Sequence, residues 1–410
     1  MKTSSVISAL FLVGGTCIGG GMLALPIATG ISGFVPSLAV MVICWLAMTA
    51  TALLLLEVSL WMEEGVHIIT MTSRLLGTGG KILSWCLYLF ICYASIVAYT
   101  AGGGIQIGHL LATTREWGCA VFIIVFGLVI YLGSTVVGRV NAILFVAMIG
   151  AYIALVGMGL DEIKPELLTN RKWSSAWLAL PLLLTSFSFQ TMVPSLTPYL
   201  KRNVKGLRIA IIGGTLLAFL VYAIWQALIL GIVPVEGPHG LAEALAKGEP
   251  ATSFVKEHVD GFYIAYIAEF FAFFAIITSF LGMALGLFDF LSDGLHIKKE
   301  GWGKIALGLL IVVPTYIFAT KFERIFLLAL DTTGGYGDTI LNGLIPVGMV
   351  WMGRYRFNYQ GPVLVPGGKV VLVCIFAFFA FALGMEILAH TGYITSIYDA
   401  YDLLRIEIEE

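Results

Sequence analysis

Of the 410 residues, 59% are hydrophobic and only 12% are charged, with a mean hydropathy of +0.96 and a formal net charge of −2. Soluble domains carry roughly twice that charged fraction, so the chain reads as an all-α polytopic membrane protein. Its near-neutral charge and lack of a basic stripe exclude nucleic acid as a partner.

The first apolar segment, about residues 5–30, is long enough to cross a bilayer. Its middle reads Gly14-Gly15-Thr16-Cys17-Ile18-Gly19-Gly20-Gly21-Met22-Leu23-Ala24-Leu25-Pro26. Five glycines and a proline are poor helix chemistry. Backbone freed from helical bonding is tolerated in a membrane only where protein or a wet cavity satisfies it. The expectation is a helix that enters, unwinds near mid-membrane and resumes around Met22. The competing reading is close packing, since Gly15 and Gly19 have small-xxx-small spacing. Lys2 and the apolar run also resemble a secretion signal. Thr16 before Cys17 does not suit lipoprotein cleavage, however, and a retained first span is expected.

Further spans are expected at about 35–62, 82–111, 118–136, 141–160, 176–200, 206–233, 261–291, 303–320, 325–352 and 368–390, eleven in all. The segment 63–80 reads as a loop or surface helix, and 161–175 and 235–260 as polar loops, the latter carrying Glu243, Lys247 and Asp260. Span six is interrupted by Thr185-Ser186-Phe187-Ser188-Phe189-Gln190-Thr191, then by Pro194 and Pro198. The N-terminus and every second loop hold 14 of the 23 basic residues, concentrated in 201–208, 298–304 and 354–369. That bias puts the N-terminus in the cytoplasm and, with eleven spans, the C-terminus outside. The six cysteines show no CxxC spacing and the six histidines are scattered, so no metal site and no organic cofactor are expected.

Interruptions in spans one and six, five spans apart, point to an inverted-repeat transporter with its site at mid-membrane. One repeat would be 1–160 (spans one to five) and the other 176–352 (spans six to ten). Span 368–390 would be peripheral, followed by a short external tail, 391–410. A resumed half-helix presents unpaired N–H groups and a favourable dipole to an anion. Gly20, Gly21 and Met22, beside Gly19, are the expected donors to a carboxylate. Carbonyls of Thr16 and Cys17 at the first break, and of Phe187 and Ser188 at the second, suit an ammonium, and Ser186 is a further substrate-binding candidate beside them. Such a pair of receptors fits a zwitterionic amino acid, with Phe187, Phe189 and Gln190 lining the second break and the rings stacking on an apolar side chain. The alternative for these rings is ordinary packing.

Gly14 to Pro26 resembles the opening motif of the bacterial aromatic amino acid permeases, the tryptophan- and tyrosine-specific carriers of the amino acid–polyamine–organocation superfamily. Thr185–Gln190 with Val193-Pro194-Ser195, Ser279–Phe290 and Ile340–Pro346 resemble the same family in the same order. The resemblance covers essentially the whole chain. It implies a five-plus-five inverted repeat with helices 1 and 6 broken, and ion-driven uptake of tyrosine or tryptophan across the inner membrane. Gln190 stands where the family leads one to expect histidine, and Asp331 and Asp338 are unusual for it. Ala275-Ile276-Ile277-Thr278-Ser279 resembles the run that holds sodium in sodium-coupled relatives, where one carbonyl (Ala275) and two hydroxyls (Thr278, Ser279) are joined by first-span carbonyls (Gly15, Ile18). In proton-coupled relatives a lysine of span five takes that place, and 141–160 contains none.

Two alternatives stay open for the coupling ion. Thr278 and Ser279 either hold Na+ or back-bond their own helix. Asp338, near the centre of span ten, is the rival site for H+, since an ionisable group at that depth is a functional candidate by default. Tyr93, Tyr99 and Tyr336 are weaker candidates for substrate contact, and Glu57, Glu269, Asp289 and Glu386 read as anchors or gate charges. The expected activity is secondary active transport of an aromatic amino acid, with another small neutral amino acid as the alternative substrate. A membrane enzyme lacks paired carboxylates, a metal cluster or an activated nucleophile in this sequence. A channel is disfavoured by two unlike breaks, because a filter ring is normally repeated. Oligomeric state is not legible.

Overall fold

The structure, a computed structural model, describes residues 3–64, 66–259, 262–322 and 324–402. Lys2 and Asp260, used above for orientation and loop assignment, and the end of the acidic tail lie outside the described residues. The fold is helical throughout them. In chain order it comprises α1 (Thr3–Cys17), α2 (Gly21–Gly30), α3 (Phe34–Trp61), α4 (Ile68–Leu110), α5 (Arg115–Leu132), α6 (Ser134–Gly159), α7 (Leu180–Ser186), α8 (Val193–Tyr199), α9 (Val204–Ile232), α10 (Leu241–Lys247), α11 (Phe262–Leu295), α12 (Gly301–Lys321), α13 (Ile325–Thr332), α14 (Ile345–Tyr355) and α15 (Gly368–His390). Among the described residues, nine helical segments are long and apolar enough to cross a membrane, and the bent pair α1–α2 makes a tenth. The expected tenth span instead runs through α13, a π-helix Thr333–Leu344 and α14, with helical backbone at each join.

Burial sorts these helices into layers. In the most apolar window, 61% of α3 and 67% of the Trp173–Tyr199 segment are buried, against 17% for α6 and 22% for α12 and α15. The broken helices and α3 are therefore the centre. α6, α12 and α15 present Ile143, Val146, Leu309, Val370 and Phe376 outward, as lipid-facing helices do.

Several boundaries depart from the pattern-based reading. The turn between spans four and five falls at Gly133 (φ 114°), so Val137–Val140 belong to α6 rather than to a loop. Only glycine takes that φ without strain. The 235–260 segment is not an open loop: α10 and a 3-10 turn over Ala251–Glu257 fold back, burying Leu241, Leu245, Phe254 and Val255. The tail does not hang free either. Residues 397–402 form a helical turn, and buried Tyr401 donates its hydroxyl to Ile27 O at 2.6 Å.

One end of the bundle is tied by buried charge. Arg354 makes a two-pronged pair with Glu57 (2.6 and 2.7 Å), and Glu57 also accepts from the Leu364 N–H at 2.9 Å. Arg202 caps the end of α3 through the carbonyls of Met62 and Leu60. Glu57 is an anchor, as expected. Asp289 is a surface partner of Lys299 at 2.8 Å.

Candidate binding site

The first span breaks at Ile18–Gly20, where α1 and α2 meet at 54°. Tight contacts explain two of its glycines. A Cβ on Gly19 would lie 2.2 Å from Ser279 Oγ, and one on Gly20 would lie 2.5 Å from the Tyr99 ring. The Gly20 N–H donates to Ser279 Oγ at 2.9 Å, drawing α11 onto the break. Gly21 is roomier, with its added carbon 3.6 Å from Ser186. Among the described residues the N–H groups of Gly19 and Gly21 find no partner, whereas Met22 N bonds Gly19 O at 3.2 Å. Close packing holds at Gly15 as well as Gly19, since an added Cβ on Gly15 would lie 2.7 Å from the Phe145 ring, and Gly14 adds a third contact, 3.1 Å from Gly214 O of α9.

In span six, α7 ends at Ser186, and helical bonding resumes only with the 3-10 turn Gln190–Met192 before α8. Phe189 sits at φ −146°, ψ 0°, outside the helical region. Gln190 is wholly spoken for. Its Oε1 accepts from the Phe189 N–H (2.9 Å), and its Nε2 donates to Met48 O (3.1 Å) and reaches Thr51 Oγ1 (3.4 Å). Its observed task is to pin the second break to α3, with no donor left over for a solute.

The two breaks face each other across one side chain of α9. The hydroxyl of Tyr222, wholly buried, lies 2.5 Å from Cys17 O and 2.7 Å from Ser186 O, the carbonyls that end the two leading half-helices. One turn on, Trp225 Nε1 donates to Met22 O at 3.0 Å, and Gln226 Oε1 accepts from Thr29 at 2.8 Å. α9 therefore splints the first span across its gap. Phe187 and Phe189 are also fully buried, Phe187 edge-on to Tyr222 with centroids 5.1 Å apart.

Asp338 joins the second break from the π-helix. Its Oδ1 accepts from Ser188 Oγ (2.6 Å) and Asn342 Nδ2 (2.7 Å), and Asn342 also donates to Ser188 Oγ (3.0 Å). Asp338 is 0% exposed and its Oδ2 has no partner. Gly334 lets this segment press on α7 beside Pro181 O, and Thr185 Oγ1 donates to Leu330 O at 2.7 Å.

The sodium-type set is assembled in part. Ala275 O and Ser279 Oγ both flank Gly19, but Thr278 donates to Phe274 O (2.9 Å) and Ala275 O (3.1 Å) of its own helix. Among the described residues no hydrogen bond joins the carbonyls of Gly15 or Ile18 to them. Thr16 turns away, bonding Leu12 O at 2.7 Å and touching Met192 Sδ at 3.4 Å. Of the weaker candidates, Tyr99 abuts Gly20, while Tyr93 bonds Leu310 O of α12 and Tyr336 packs on His390. A cavity of about 690 Å³ between the ends of α4 and α11, lined by Gln106, His109, Lys256 and Glu269, includes no break residue.

Known proteins resemble this chain along nearly its whole length. The profile of the tryptophan/tyrosine permease family matches residues 2–386. The tyrosine-specific transport system 1 of Haemophilus influenzae is 30% identical over 402 residues, covering 95% of this chain and 98% of the relative. The tryptophan-specific transport protein of the same organism is 28% identical over 416 residues, covering 96% and 98%. Among solved structures, MhsT in complex with L-phenylalanine superposes with a TM-score of 0.62 at 14% identity, covering 93% of this chain and 98% of that one. Likeness at that identity speaks for fold, an all-helical inverted repeat with its first and sixth spans broken. The chain belongs to the tryptophan/tyrosine permease family, and is an integral membrane transport protein rather than an enzyme.

Proposed function

We propose that this chain imports an aromatic amino acid, tyrosine or tryptophan, across the bacterial inner membrane by ion symport with alternating access. The observation that carries the reading is the meeting of Cys17 O and Ser186 O on one buried hydroxyl, beside N–H groups of Gly19 and Gly21 that lack partners. The N-terminus of α2 receives the carboxylate on the unpaired N–H groups of Gly19 and Gly21, where the helix dipole is favourable. The two carbonyls receive the ammonium in place of the Tyr222 proton. Phe187, Phe189 and Tyr99 supply the apolar walls. Relatives named for tyrosine and tryptophan support the aromatic class.

Access is lopsided, which supports a carrier caught on one side of its cycle. All ten residues of α2 are buried, whereas surface reaches Thr16, Ile18, Ser188 and Met192 along the α1 and α8 halves. The repeats are 1–160 and 176–352, with the N-terminus cytoplasmic, the C-terminus external and 368–390 peripheral, in keeping with the shallow burial of α15. A proton on Asp338 is the favoured driving ion, since this buried carboxyl bonds the second break directly through Ser188. Sodium held by Ala275, Ser279 and Thr278 with the first-span carbonyls Gly15 and Ile18 is the second reading, favoured by the convergence of Ala275 O and Ser279 Oγ on Gly19.

Counterflow in proteoliposomes tests the activity. A carrier exchanges labelled tyrosine or tryptophan saturably, a channel accumulates nothing against a gradient, and an enzyme yields a new product. A panel of neutral amino acids as competitors tests the aromatic preference. Failure of all aromatic amino acids to exchange would refute the proposal.

A further inference from the structure

Away from both breaks, α13, α15, the turn before α7 and the tail enclose a cavity of about 360 Å³. Its walls include Asp331, Glu386, His390, Tyr398 and Trp177. Asp331 and Glu386 are each 4% exposed, in a chain where an unpaired charge at that depth is costly. Three sealed oxygens facing this one space have no hydrogen-bond partner: Asp331 Oδ1, Glu386 Oε1 and Tyr398 Oη. Gly335 is held against the Glu386 carboxyl so closely that an added Cβ would lie 2.3 Å from it, so the carboxyl is locked in place.

The charges around it do not balance. From α15, His390 Nδ1 lies 3.3 Å from Glu386 Oε1, and its side chain is 38% exposed, so it connects the cluster to solvent. From the tail, Asp399 is committed to Ser396 (2.7 and 3.0 Å), and Arg324, at the start of α13, is committed to Asp402 (3.1 and 3.3 Å). Tyr336, from the π-helix, meets His390 by ring contact alone. α7 and the 3-10 turn Trp173–Ala179 bring no titratable group. One histidine can offset one carboxylate, which leaves a second negative charge shut in.

We propose that Asp331 and Glu386 form a proton site that holds one proton between them, separate from the substrate site and from Asp338. One carboxyl becomes an acid and donates its O–H within the cavity. The other stays a carboxylate opposite His390, so one bound H+ cancels one charge. A proton fits better than a metal cation, because the four oxygens of two carboxyls and the Tyr398 hydroxyl fall short of the six or more oxygens that a hard cation gathers. Its presence lets α15 and the docked tail seat against α13. Its loss would set two like charges in one buried space and loosen that seam.

Infrared spectroscopy of the full-length protein in lipid tests this, reading the C=O band of a protonated carboxylic acid. The wild type and Asp338→Asn share a band that is shifted or lost in Asp331→Asn and in Glu386→Gln and absent from the double variant. Labelled-substrate counterflow, retained in Asp331→Asn and Glu386→Gln, shows that these variants are folded. Should the double variant fail to fold, the single variants carry the test. A band unmoved in both single variants, or one that disappears only in Asp338→Asn, overturns the proposal.

Discussion

Replacing Tyr222 by Phe removes one oxygen and nothing else from the junction of the two breaks. In the structure that oxygen is within 2.7 Å of both Cys17 O and Ser186 O, and no solvent reaches it. Without the hydroxyl, the two carbonyls lose the one donor they share in a buried site, at a cost of about 1–3 kcal/mol. The cost falls on the empty carrier, because in the loaded carrier the substrate ammonium donates to the same oxygens. The variant should therefore bind substrate more tightly, with KM lowered by about 5- to 150-fold. Turnover should fall, since the empty form that must return is now the strained one. Initial rates of labelled tyrosine or tryptophan uptake across a concentration series, with reconstituted protein quantified by blot, separate the two effects. A raised KM at unchanged maximal rate would mean that the hydroxyl binds substrate directly. No change in either parameter would remove Tyr222 from the account.

The glycines of the first break are not equivalent. Gly19→Ala and Gly20→Ala place a carbon 2.2 and 2.5 Å from neighbouring atoms, so each should lower uptake at least about tenfold at equal membrane abundance. Gly21→Ala, whose nearest neighbour is 3.6 Å away, should keep most of it. If a proton drives transport, Asp338→Asn keeps exchange but loses accumulation, and choline in place of sodium at fixed pH changes nothing. Accumulation that vanishes in choline would shift the coupling ion to Ala275, Thr278 and Ser279. At the charged end, Glu57→Gln strands Arg354, which is 9% exposed, and should cost about 3–5 kcal/mol of stability. Thermal melting in detergent would show this, with partial recovery when Arg354→Gln is added. Equal melting of all forms would make the pair dispensable.

Both breaks were legible because the relevant signals are local: a glycine cluster in one apolar run, and hydroxyls with prolines in another. What joins them was not. Tyr222 is one of 16 tyrosines, set in an ordinary apolar span, and only the fold brings its hydroxyl to carbonyls 205 and 36 residues away. Ser188 and Asp338 were each noticed, but their contact spans 150 residues and has no sequence signature. Gln190 looked available because a polar side chain beside a break reads as a ligand, whereas its amide satisfies backbone on two helices. The π-helix had a sign in Gly334, Gly335, Gly337 and Gly343, since such a run weakens α-helical bonding and wide turns gather at functional sites. The docked tail was missed because Tyr401 sits in a polar setting and finds its apolar partner only in the assembled bundle.

The central claim, a zwitterion held between N–H groups of one break and carbonyls of both, is tested most directly by competition with trimmed substrates. Counterflow of labelled tyrosine would be challenged with tyrosine, with tyramine, which lacks the carboxylate, and with 3-(4-hydroxyphenyl)propionate, which lacks the ammonium. Strong competition by tyrosine and weak competition by both analogues is the predicted result. Equal competition by either analogue would contradict it, because one of the two receptors would then have no part in binding.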